Sequence, residues 1–126
     1  MAIYFDIKEM TDSQTAKQHH IDNTPTKEVI DNLKKVMYVL DIVRAHMGKP
    51  ILVNSGYRCK KLNEMVGGVQ NSMHTKGLAA DIRTREKEDI NIMYEFLKEN
   101  QKKLKIIELL NYGTFIHIGV SETLTI

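Results

Sequence analysis

The chain has 126 residues, enough for one domain with one core. A hydrophobic fraction of 42%, a charged fraction of 27% and a formal net charge of +2 are ordinary for a globular protein, and the basic residues cluster only in pairs (Lys34-Lys35, Lys60-Lys61, Lys102-Lys103), so no nucleic-acid-binding stripe is present. No apolar run approaches the roughly 20 residues of a membrane span, and the single cysteine, Cys59, excludes an internal disulfide.

The first ten residues, MAIYFDIKEM, lack a basic stretch followed by a long apolar run, so no signal peptide is expected and the chain should stay in the cytoplasm until something releases it. Residues 6–10 (DIKEM) and 13–20 (SQTAKQHH) read as short helical turns packed on the domain. A long amphipathic helix follows. Thr24 is its expected cap and Pro25 suits the first helical position. Val29, Leu33, Val36, Leu40, Val43 and Met47 recur at three and four residues as one buried stripe, and Gly48 and Pro50 supply the stop.

Residues 51–55 (ILVNS) read as a short strand, residues 59–66 (CKKLNEMV) as a short helix, and GGVQNS after them as a loop. GLAADIRT, residues 77–84, is a strand of small residues. Residues 86–100 form a second amphipathic helix with Ile90, Met93, Phe96 and Leu97 inward. Residues 105–120 (KIIELLNYGTFIHIGV) read as two strands turning near Tyr112-Gly113. Helices and strands are segregated rather than alternating, which predicts an α+β fold.

The chemistry concentrates in NSMHTKGLAADIRT, residues 71–84, together with FIHIGV near the end. Two imidazoles and one carboxylate, His74, Asp81 and His117, make a three-ligand zinc set with one position left for water. If their two strands pair, Asp81 and His117 face one pocket, and Gly77, Ala79 and Ala80 let the backbone pass close to it. The same spacing is also met by a surface-loop histidine, a strand-end aspartate and a half-buried histidine with a satisfied ring.

A wider pattern joins these residues. Ser55-Gly56-Tyr57-Arg58, Leu62-Asn63, Val66-Gly67-Gly68 and the ordered set Ser72, His74, Gly77, Ala79 and Asp81 closely resemble the zinc D-alanyl-D-alanine carboxypeptidase family. FIHIGV resembles its closing strand, and FDIKEMTDSQTAKQHHIDNTP resembles the opening segment of its short, phage-type branch. The resemblance covers nearly the whole chain. It implies a Hedgehog/DD-peptidase fold with a small, mainly antiparallel sheet and helices on one face. It also implies zinc held by His74, Asp81 and His117, with Arg58 binding a substrate carbonyl or carboxylate and Ser72 orienting the loop. The implied activity is hydrolysis of peptidoglycan stem peptides at the cell wall.

One position departs from the pattern. Where many members of that family carry an acidic general base, three residues before the last histidine, this chain has Thr114. A base would then come from Glu108, His19, His20, His46 or another acid. Unbroken alternation places Glu108, nine residues before His117, on the opposite face, although the turn between them voids that count. A zinc-containing binding or virion structural module without catalysis is the alternative that Thr114 favours. Cys59 reads as a small buried residue, with a fourth zinc ligand as the other role for its sulfur.

Overall fold

A computed structural model describes residues 3–126; Met1 and Ala2, the first two residues of the segment read for a signal peptide, lie outside it. Five helices and four strands follow one another: α1 (Ile7–Thr11), α2 (Gln14–Gln18), α3 (Lys27–Met47), β1 (Ile51–Ser55), α4 (Lys60–Met65), β2 (Ala79–Thr84), α5 (Ile90–Glu99), β3 (Ile106–Asn111) and β4 (Ile116–Val120). The strands form one antiparallel sheet in the order β1-β2-β4-β3. The architecture is the expected α+β one.

Helix α3 starts later than expected. Its cap is Thr26, whose hydroxyl accepts from the Val29 amide at 3.2 Å. Thr24 is drawn off by Asp22, whose carboxylate accepts from both the amide and the hydroxyl of Thr24. An aspartate two residues upstream competes for a threonine's donors and holds it in a turn. The stop is as expected, with Gly48 in the left-handed region at φ 65°.

The predicted stripe is the core. Leu33, Val36, Leu40 and Val43 are fully buried against Ile82, Ile116, Ile118, Met93 and Leu97. Each such side chain contributes about 1.5–3 kcal/mol by leaving water. Period-two alternation divides the sheet. Ala80 and Ile82 of β2 and Ile116, Ile118 and Val120 of β4 enter this core, which leaves Asp81, His117 and Gly119 to the other face.

Gly77, just before β2, is small for a different reason from the one expected. A Cβ on Gly77 would lie 2.9 Å from both Val29 Cγ1 and the Val29 carbonyl oxygen, so its smallness serves α3 rather than the site. Ala80 likewise sits within the core under the sheet.

The opening segment wraps back over this frame. The buried Asp41 of α3 accepts from the Ile3 and Tyr4 amides at 2.8 and 2.9 Å, and the Arg44 guanidinium lies 4.9 Å from the centre of the Tyr4 ring. Met10, fully buried in α1, presents its carbonyl to the Tyr57 amide at 2.7 Å. No helix among the described residues is long and apolar enough to cross a membrane.

Candidate metal centre

Strands β2 and β4 pair with Asp81 directly opposite His117, which puts both side chains on one face. His74 arrives from a 3-10 turn, Met73–Lys76, in the loop before β2. Ser72 caps this turn by accepting from the His74 amide at 3.1 Å. Asp81 Oδ1 then lies 2.8 Å from His117 Nδ1 and 3.4 Å from His74 Nε2. One ligand atom from each of the three residues falls within 4.8 Å of the others, and among the described residues no other such trio forms.

The tautomers suit a cation. His74 Nδ1 lies 2.7 Å from the Gly56 carbonyl oxygen, which only accepts, so Nδ1 carries the hydrogen and Nε2 directs its lone pair inward. His117 Nε2 lies 2.7 Å from Glu108 Oε1. Donation from Nε2 to that carboxylate leaves Nδ1 facing Asp81. Both imidazoles are thus oriented from behind, as metal-binding histidines are, and two nitrogens with one oxygen suit a tetrahedral ion with an open position. Cys59 lies outside the trio, at the N-cap of α4 and packed against the core.

The charges in the cluster sustain one another. Burial pushes the Asp81 carboxyl up, but the hydrogen bond from His117 and the neighbouring His74 ring outweigh it and hold the group below the usual carboxylate range. His117 is raised, first by its hydrogen bond to Asp81 and then, against the effect of burial, by Glu108.

Glu108 reaches the site because a hairpin resets face parity. With β3 and β4 antiparallel, Glu108 pairs with Gly119 and Leu110 with His117, so Glu108 shares the His117 face. The register shift in this pair lies beyond that stretch, between Ile106 and Glu108, so the pairing of Glu108 runs unbroken from the hairpin turn. Gly119 makes the approach feasible: a Cβ there would lie 2.7 Å from Glu108 Oε1 and 2.8 Å from Met73 Sδ. Thr114 stands exposed between Gly113 and Phe115 in the β3–β4 turn, outside the residues lining the cleft. His19 ends α2, His20 follows it, and His46 stacks on Phe96 at 3.9 Å; none of the three lines the cleft.

The cleft over the cluster measures about 720 Å³ and is walled by Arg58, Asn71, Met73, Glu108, Leu110 and Tyr112 among others. Arg58 also borders a second recess of about 500 Å³ beside α1 and α2. Burial lowers the pKa of its guanidinium, against the raising effect of Asp81, and its Nε is buried without a hydrogen-bond partner.

Gly56 ties this centre to the opening segment. Its carbonyl holds His74, and a Cβ on it would collide with the Met10 carbonyl oxygen. Gly56→Ala should therefore cost about 1–3 kcal/mol of stability and weaken metal binding, because the carbonyl that orients His74 moves with the loop. Thermal melts and a zinc titration check both effects.

An aspartate and a histidine on an antiparallel sheet, with a second histidine from the loop before β2, form a cluster that could hold a metal ion. The chain belongs to the peptidase M15 family, whose model matches residues 3–119. It is also similar to a zinc D-Ala-D-Ala carboxypeptidase of Streptomyces albus G, at 46% identity over 52 residues. That match covers 40% of this chain and only 20% of the relative's length.

Proposed function

We propose that the chain, as one domain over residues 1–126, is a zinc metallopeptidase that hydrolyses peptide bonds in peptidoglycan stem peptides, of the endolysin or cell-wall carboxypeptidase type. The observation that carries this reading is the convergence of His74 Nε2, Asp81 Oδ1 and His117 Nδ1 beneath a cleft that also holds Arg58 and Glu108. The similarity to a zinc carboxypeptidase supports both the metal and the substrate class. A phage or prophage origin accords with the resemblance of the opening segment, and action at the wall then requires a separate release step.

Bound by the three residues, zinc supplies Lewis-acid polarisation of a carbonyl and activation of water. The chain's own groups do the rest. Arg58 holds the substrate's carbonyl or carboxylate oxygens by charge-assisted hydrogen bonds and stabilises the oxyanion that develops as water adds. Glu108 keeps His117 aligned through Oε1, while Oε2 accepts a proton from the attacking water and returns it to the departing amine. Asp81 and the two imidazoles stay in place throughout.

The test is digestion of purified muropeptides by the zinc-loaded protein, with products weighed by mass spectrometry and a chelated sample as control. Cleavage lost on chelation supports the reading, and the product masses identify the bond. Full zinc occupancy without cleavage moves the chain to the non-catalytic binding or virion structural class, the reading that Thr114 favours.

A further inference from the structure

One amide side chain ahead of α3, outside both the metal trio and the cleft lining, grips the loop that carries Arg58. Asn23 Nδ2 donates to the Thr11 carbonyl at 2.9 Å and to the Tyr57 carbonyl at 3.0 Å, while its Oδ1 accepts from the Cys59 amide at 2.7 Å. The residues on both sides of Arg58 are thus held by one side chain, which is itself anchored to the end of α1. The remaining main-chain donors agree with this arrangement. The Arg58 amide donates to the His74 carbonyl at 3.1 Å, and the Tyr57 amide donates to the Met10 carbonyl at 2.7 Å. Within residues 57–59 every amide, and the Tyr57 carbonyl, is committed to a partner outside that tripeptide.

That stretch has no regular secondary structure of its own; it lies between β1 and α4. A guanidinium on an unsupported loop would sample many orientations, and a site misplaced by about 1 Å loses much of its rate. Here the Nε of Arg58 is buried with no hydrogen-bond partner, so no bond at Nε orients the side chain and its aim depends on the backbone that carries it.

We propose that Asn23 is the positioning residue for Arg58. It acts through the peptide flanks rather than by touching substrate, and it makes the opening segment a working part of the active site. This rests on the reading of Arg58 as the substrate-binding group. Asparagine suits the role because it offers two donors and an acceptor on a short, stiff stem. Aspartate at 23 keeps the acceptor for Cys59 and loses both donors.

The experiment has two arms on the full chain. In the first, the Arg58 Nε–H signal of ¹⁵N-labelled, zinc-loaded protein is identified by its absence in Arg58→Lys, and its exchange with water is measured. Wild type should show a protected signal. Asn23→Ala should exchange at least about tenfold faster, the scale of one lost hydrogen bond, with zinc content unchanged and the fold retained; Asn23→Asp, which turns a carboxylate oxygen on the Thr11 and Tyr57 carbonyls, should exchange at least as fast, and Asn23→Ser serves if the alanine variant does not fold. Unaltered protection in a folded Asn23 variant overturns the proposal.

In the second arm, kcat/KM is followed through a double-mutant cycle. Asn23→Ala should cost about tenfold beside Arg58 and almost nothing further in an Arg58→Ala background, because coupled residues are not additive. Losses that multiply overturn the proposal. A wild type that cleaves no muropeptide overturns the peptidase reading instead and leaves the first arm to decide the role of Asn23.

Discussion

His74→Ala should leave the chain without stoichiometric zinc. The histidine is nearly fully buried, it supplies one of three ligand atoms, and its ring is held by Gly56 from behind. Loss of an orienting partner alone typically costs roughly 10- to 100-fold in metal affinity, so loss of the ligand should cost more. His117→Ala should act alike. Elemental analysis after dialysis and a competitive chelator titration measure the effect. Near-normal zinc in both variants would show that the metal lies elsewhere.

The same centre sets a dependence on pH. His117 is raised above its ordinary value by Asp81 and then Glu108, so in the metal-free protein the ion pair stabilises the fold below the unfolded-state pKa. That contribution is lost as pH rises through the folded-state pKa. Metal binding runs the other way, since Nδ1 accepts an ion only after losing its proton. The stabilisation by added zinc, followed as a rise in melting temperature, should therefore grow with pH across the histidine range, the free energy approaching about 4 kcal/mol at a thousandfold excess over the dissociation constant.

Glu108→Gln should separate the two roles given to that carboxylate. The amide oxygen of glutamine still accepts from His117 Nε2, so zinc affinity should stay close to wild type. The proton acceptor is gone, and kcat should fall by roughly 10²–10⁴. Glu108→Ala should lose zinc affinity as well, because His117 is no longer aligned. Equal rates for wild type and Glu108→Gln, at equal zinc content, would reduce Glu108 to alignment alone. Thr114→Glu provides a contrast: it adds an exposed charge in the turn and should leave the rate near wild type.

What the sequence reveals here follows the range of the interaction. The stripe of α3 and the alternation in β2 and β4 repeat within a few residues, so periodicity shows them. The trio His74, Asp81 and His117 is legible from ligand chemistry and sharpened by resemblance, and the pairing of Asp81 with His117 completes it. The start of α3 is misread because Asp22 competes for Thr24, a choice between two local hydrogen-bond patterns that composition does not rank. Glu108 is harder still, since its face depends on hairpin register rather than on sequence separation, and the absent side chain of Gly119 is the only local sign. Asn23 and Asp41 act across 34 to 38 residues, where no periodic pattern reaches.

The strand order also has a temporal meaning. β4 is the last strand in the chain, yet it lies inside the sheet, between β2 and β3, and it carries His117 to Asp81 across 36 residues. Helix α3 draws on local contacts and can form early, whereas insertion of β4 must first overcome the entropy of closing long loops. Until that strand docks, the centre lacks one of its three donors. Metal uptake should thus follow the docking of β4 and latch a finished sheet rather than template one, which stopped-flow refolding with and without zinc would show as equal rates of sheet formation.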